Sequence, residues 1–306
     1  MVIRPAGGAS KIAFPAFFGA PMAIWQGVFF LAPVIFMAIM AFWTVRNFEL
    51  APDFTFDNWH KILSAPYFWD AFARSLASSA IAAISATLLA FPCSYYLGLR
   101  VSQGVRLLAA CLIIAPFFTS FLVRAYTWRT MLGDNGVVNS LFGFAGLGPW
   151  TMTNNLLGMV VGHLTLVLPL VVLLQLFSIA AIDRRLIEAA HNLGSNHFRT
   201  VYRVVIPGAR NGIVLAAAFA FVLSFGDLIS AQVLGGSNPP TLAILIVDQI
   251  RGGLQWPRAA VIATVMVLTL IAVVAAAIAF AYGNSTPRRL RKHFVINCGH
   301  AACQQV

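Results

Sequence analysis

Six separate runs of apolar residues, at 24–45, 71–99, 107–131, 156–182, 212–234 and 259–282, take up most of the chain and decide its solvent. A hydrocarbon core about 30 Å thick is crossed by about 20 residues of helix, and each run is long enough. The runs are apolar on every face, whereas the strands of a membrane barrel alternate apolar and polar over about ten residues. The expectation is therefore an all-α membrane protein with six transmembrane helices. The first run is too long for the apolar region of a secretory signal and begins well after Lys11, so it reads as a retained helix. Only 9% of the residues are charged and 60% are hydrophobic, which leaves little for a water-facing surface.

Basic residues stay on the cytoplasmic side of a bilayer, so their places set the orientation. With both termini inside, the cytoplasmic segments hold Arg4, Lys11, Arg100, Arg106, Arg184, Arg185, Arg199, Arg203, Arg210, Arg288, Arg289, Arg291 and Lys292, against Asp183 and Glu188 alone. Glu49, Asp53, Asp57, Asp70, Asp134 and Asp248 fall in or beside outer loops. The net charge of +11 is accordingly a matter of topology. Binding to nucleic acid needs basic residues interleaved with exposed aromatics on a soluble face, and no such segment is present. Cys93 and Cys111 lie in spans, and Cys298 and Cys303 in a tail placed in the reducing cytoplasm, so no disulfide framework is expected. The layout is a cytoplasmic segment over 1–23, a six-helix domain over 24–282 with a long cytoplasmic loop at 183–211, and a basic cytoplasmic tail over 283–306.

That loop carries the most information, because an ordered, charged insertion between two spans needs something to contact. It reads Glu188-Ala189-Ala190-His-Asn-Leu-Gly194, then nine residues to Val204-Val-Ile206-Pro207. The spacing predicts a short helix over 187–193, a turn at Gly194, a second amphipathic helix over 198–205 and a reset of the chain at Pro207. The pattern resembles the EAA loop of ABC importer permeases, with Val204 and Ile206 as conservative departures. The resemblance implies a type I importer permease (MetI-like) fold and a knob seated in a groove of a separate ATPase dimer. Glu188, Ala189, Ala190, Gly194 and Pro207 become the coupling residues, and Glu188 the charged contact.

A second resemblance, to spermidine/putrescine permeases of the PotB type, rests on Ser120-Phe-Leu-Val-Arg124-Ala-Tyr126-Thr-Trp128, on Leu132-Gly-Asp134-Asn-Gly136 and on Leu223-Ser-Phe-Gly-Asp227. It implies a small cationic solute, a paralogous second permease (PotC-like), and a periplasmic or lipid-anchored solute-binding protein. Other small solutes, among them opines, amino-acid derivatives and iron, are carried by similar proteins. Asp227 falls deep in an apolar run, where an unpaired carboxylate costs at least ~2.5 kcal/mol, and two readings stand: a partner for an ammonium group in the pathway, or an internal partner for a group such as Arg124. Tyr126 and Trp128 are candidates for an aromatic surround, against the plainer reading of interfacial aromatics. Arg124 and Arg129 read as snorkelling side chains.

No phosphate-cradling Gly-x-x-x-x-Gly-Lys-Ser/Thr loop occurs, so no cofactor is expected on this chain and ATP is left to the partner. It is expected not to be an enzyme, since no nucleophile, base or metal ligands are grouped at one membrane face. An ion-coupled secondary transporter is the rival class, which would use internal repeats instead of a docking knob.

Overall fold

The computed structural model describes residues 21–283, apart from 23, 47–48, 145, 147–149 and 237–238. The basic tail with its Cys298 and Cys303, and residues 1–20, lie outside the described residues. The chain divides into two compact units, Met1–Pro66 with Ile246–Val265, and Tyr67–Leu245 with Met266–Val306.

In the first unit, helix α1 (Ile24–Met40) is apolar all round and none of its residues is buried within the chain. Pro33 has no N–H to donate, and the helix adjusts just upstream by a π-helical turn at Gly27–Leu31, where the Ala32 N–H reaches back to the Gly27 carbonyl. A two-stranded hairpin follows, β1 (Thr44–Arg46) antiparallel to β2 (Glu49–Ala51), with Thr44 opposite Ala51. Asp53 closes it, accepting from Thr44 Oγ1 at 3.2 Å and pairing with Arg46 at 2.8 Å. Short helix α2 (Asp57–Leu63) lies beneath, pinned by the buried Asn58 amide, which donates to the carbonyls of Ala41 and Trp43 at 3.3 and 2.7 Å.

The second unit is built around α3 (Pro66–Leu99) and α7 (Leu156–Ala180). Beyond Phe68 near its start, the buried positions along α3 are Ala71, Ser75, Ser78, Ser79, Ala82, Ala83, Ala86, Ala90, Ser94 and Gly98, a stripe of small side chains at helical spacing. Lipid gives no hydrophobic drive between helices, so such a stripe works by letting backbones approach closely enough for dispersion and hydrogen bonds. Two bonds cross to α7: Ser94 Oγ donates to the Val172 carbonyl at 3.0 Å, and Gln175 Nε2 donates to the Thr87 carbonyl at 3.1 Å.

The third apolar run is not one helix. It comprises α4 (Gln103–Ile114), a 3-10 turn (Ala115–Phe118) and α5 (Phe121–Leu132), and the chain bends by 90° between Gln103–Phe118 and Phe121–Phe144. Thr119 and Ser120 are extended at the break, which strands the preceding carbonyls. Arg124 supplies the missing donors, bonding the carbonyls of Pro116 and Thr119, the Thr119 hydroxyl at 3.0 Å and the Thr165 carbonyl of α7 at 2.8 Å. This arginine is a backbone clamp and does not snorkel. Arg129 likewise turns inward to the Val233 carbonyl at 3.1 Å. Helix α6 (Val137–Phe144) completes this stretch, its buried Asn139 side chain bonded to Gly133 and Trp150.

After α7 come α8 (Arg184–Asn192), α9 (His197–Phe225), α10 (Leu228–Val233), α11 (Leu242–Gly253) and α12 (Trp256–Tyr282). Among the described residues α3, α7, α9 and α12 are each long and apolar enough to cross a membrane, the bent third run makes five, and α1 is a shorter apolar helix. Helix α7 packs tightly against both α9 and α10. A Cβ on Gly212 of α9 would lie 2.2 Å from the Ser178 Cβ of α7, and one on Gly162 of α7 would lie 2.7 Å from that of Ser230 of α10. Gly212→Ala should therefore force α7 and α9 apart and destabilise the protein by about 1–3 kcal/mol. The loss is expected as a lowered thermal midpoint of the purified protein, restored when Ser178→Gly is added to make room.

Candidate functional site

The structure presents two chemically distinct places in the second unit. The first is the knob made by α8 and the start of α9. Asp183 caps α8 by accepting from the Arg185 N–H at 3.0 Å, and Asn196 caps α9 by accepting from the His197 N–H at 2.6 Å. Between them Gly194 sits at φ +78°, a left-handed conformation that side chains with a Cβ resist, with open space around it, so glycine is required by the turn and not by crowding. Ile187 and Val205 pack inward with Ile179 and Ala209, which anchors the knob to the helices beneath.

Its outer surface is unusual for a charged loop. Leu193, Phe198 and Tyr202 are 88%, 86% and 74% exposed, and Leu186 is also exposed. Glu188 and Ala189 are exposed as well, and Ala190 is half-buried. Among the described residues Glu188 has no ion-pair partner. Apolar side chains held this far out by two caps and a turn match a protein groove better than water. Phe198 and Tyr202 were not singled out from the sequence, although aromatic residues within a basic loop were a signal for them.

Pro207 does not reset the chain. Helix α9 continues through it, absorbing the lost donor in a π-helical segment, Val201–Val205, just ahead of the proline. The second arm of the knob and the following membrane helix are thus one rod.

The second place is where α9 ends. The fifth apolar run breaks at Gly226 and Asp227, and Asp227 is the N-cap of α10, its Oδ1 accepting from the N–H groups of Ile229 and Ser230 at 2.9 and 3.2 Å. Its other oxygen, Oδ2, has no hydrogen-bond partner and lies 3.7 Å from Nε2 of His163 on α7, with side chains 4% and 2% exposed. Among the described residues neither ring nitrogen of His163 has a hydrogen-bond partner, nor has the Ser230 hydroxyl. The ionisable neighbour of Asp227 is thus His163, while Arg124 is engaged by backbone carbonyls. His163 was not singled out from the sequence, although an ionisable residue inside an otherwise apolar span marks a site by default. Two N–H donors and the positive end of α10 offset much of the cost of the carboxylate.

Tyr126 and Trp128 are two positions apart on α5, so they point to different sides of the helix. Tyr126 is 54% exposed. Trp128 packs against the cluster of Ala125, Leu132, Met152, Val233 and Leu234, and lines an open groove with Thr119, Ser120, Val123, Arg124 and Thr127. The two aromatic rings do not share one surround in this chain.

A family model described as "Binding-protein-dependent transport system inner membrane component" matches residues 86–292. The permease protein PotB of the spermidine/putrescine transport system of Haemophilus influenzae is 27% identical over 237 residues, 76% of this chain and 82% of that protein. Among solved structures, a bacterial ABC transporter involved in the import of the acidic polysaccharide alginate matches with a TM-score of 0.71 at 17% identity, over 90% of this chain and 99% of that one. A bacterial alginate ABC transporter in complex with an alginate pentasaccharide-bound periplasmic protein matches with a TM-score of 0.66 at 16% identity, over 88% of this chain and 94% of that one. At such identities these two likenesses concern the fold.

Proposed function

The chain belongs to the family of binding-protein-dependent transport system inner membrane components, and we propose that the solute it passes is a polyamine-like organic cation. It is a multi-pass inner-membrane protein, the non-enzymatic permease subunit of an ABC importer. The observation that carries the coupling reading is the knob, on which Leu193, Phe198, Tyr202 and Glu188 are all exposed. On this reading the knob lies on the cytoplasmic side, both termini are cytoplasmic, and an ATPase dimer receives Glu188, Ala189, Ala190 and Gly194 while Pro207 sits in the rod behind them. A second permease completes the pathway, and a solute-binding protein delivers cargo from outside, as the alginate system does with its periplasmic protein.

The cationic substrate is supported by the likeness to PotB and by the free oxygen of Asp227, which can pair with an ammonium group. Trp128, in its groove beside α10, and Tyr126 stand as secondary pathway residues. Labelled spermidine uptake by cells carrying this chain with its partner subunits tests the reading. Saturable uptake that collapses on ATP depletion and persists when the proton gradient is dissipated is expected. The reverse dependence would move the chain to ion-coupled transport, and no uptake by a well-expressed system would move the substrate to another solute.

A further inference from the structure

At the base of the knob a cleft of about 200 Å³ is lined by Tyr95, Leu99 and Arg100 from the end of α3, and by Arg184, Ile187, Glu188 and His191 of α8. The α8 residues follow the helical repeat, so one face of this helix is turned toward the end of the other. What sets the cleft apart is that its basic groups outnumber its one carboxylate, Glu188. Arg100 donates to Nε2 of His197 at 2.5 Å, so its nearest polar partner is itself a base. The His197 ring stacks on that of His191, with centroids 5.0 Å apart. Among the described residues neither Arg100 nor Arg184 forms an ion pair, although Glu188 lines the same cleft.

Two guanidinium groups and two imidazoles gathered around one carboxylate call for an anion. Tyr95, Leu99 and Ile187 give the same cleft an apolar floor, and Tyr95 and Leu99 belong to a helix long and apolar enough to cross a membrane. A group that is anionic at one end and hydrocarbon at the other fits this mixed lining. We propose that this cleft is a binding site for the phosphate headgroup of an anionic phospholipid, with Arg100 and Arg184 as its charge partners and Tyr95, Leu99 and Ile187 against the start of its chain. The inference rests on the proposed orientation, which puts α8 at the cytoplasmic leaflet, where anionic headgroups attract basic residues. Glu188 lines the same cleft without an ion pair to either arginine, so a headgroup bound to Arg100 and Arg184 leaves it free for the ATPase.

The test uses the assembled importer, purified with its lipids exchanged for phosphatidylcholine containing phosphatidylglycerol. Retained lipid is counted by native mass spectrometry, and ATPase activity stimulated by loaded binding protein is read in parallel. Retention of phosphatidylglycerol is expected to fall about fivefold in Arg184→Gln and again in Arg100→Gln, the scale of one basic group near an anionic surface. Arg199→Gln, outside the cleft, should retain it like the parent. Equal retention in all three variants would overturn the site. Displacement of the lipid by low-millimolar inorganic phosphate would overturn the lipid assignment in favour of a soluble phosphate. The retention result stands without any transport, so a complex that keeps the lipid at Arg184 yet shows no stimulated ATPase would count against the coupling reading and for the lipid site.

Discussion

Glu188→Arg should reduce transport-coupled ATP hydrolysis by about a hundredfold or more while leaving the amount of protein in the membrane unchanged. The argument begins with what the substitution spares. Glu188 is exposed and has no ion-pair partner among the described residues, while the knob is held by Ile187 and Val205 beneath it and by the Asp183 and Asn196 caps. A third arginine beside Arg184 and Arg185 costs the helix only about 0.2–0.5 kcal/mol per like-charged pair. In an interface the balance changes. Reversing a charge that meets its complement in a desolvated contact costs about 2–5 kcal/mol or more, which is the source of the hundredfold expectation. ATPase activity stimulated by loaded binding protein is the measurement, set against the basal activity of the partner ATPase. Undiminished stimulation would remove Glu188 from the coupling contact.

Asp227 offers a test in two parts, because its two oxygens do different things. Asp227→Ala removes the cap of α10 and leaves the N–H groups of Ile229 and Ser230 without their acceptor, for about 1–3 kcal/mol in all. A marked drop in thermal midpoint and in yield is expected. Asp227→Asn keeps a side chain that caps almost equally well and takes away the charge, so the fold should survive with a change of about 1 kcal/mol or less. Uptake of a cationic solute should nonetheless fall at least tenfold, since a charge-assisted bond to ammonium becomes a neutral one. If the two variants are equally unstable, the charge serves the bundle through His163. If Asp227→Asn is stable and transports spermidine normally, the carboxylate is not in the pathway.

Local chemistry was legible in the sequence and distant chemistry was not. The knob could be read from Glu188-Ala-Ala and Gly194 because its caps and turn involve neighbours along the chain, and the long runs behind α3, α7 and α12 could be read from hydropathy alone. The breaks at Thr119-Ser120 and Gly226-Asp227 lie inside runs whose average hydropathy hides them. Pro116 and Gly226 were the available signals, but what makes the first break tolerable is Arg124 reaching the Thr165 carbonyl on another helix. The pairing of Asp227 with His163 is tertiary in the same way: each stood in a different apolar run, and only the close crossing at Gly162 brings α10 against α7. The small-residue stripe of α3 was visible as Ala and Ser but read simply as an apolar span, since hydropathy counts what a residue is and ignores which face it occupies.

The unbroken passage of α9 through Pro207 has a mechanical consequence. A helix of 29 residues is about 43 Å long at 1.5 Å per residue, and its far end lies about 20 Å beyond Gly212, so a tilt of about 5° about that point moves the end by about 2 Å. One end carries Phe198 and Tyr202, and the other delivers the chain to Gly226 and Asp227. A force applied at the aromatic end therefore arrives at the carboxylate as leverage, with the Ser178–Gly212 crossing as the fulcrum. The stiffness of that lever is set where its hydrogen-bond register slips, at Val201–Val205.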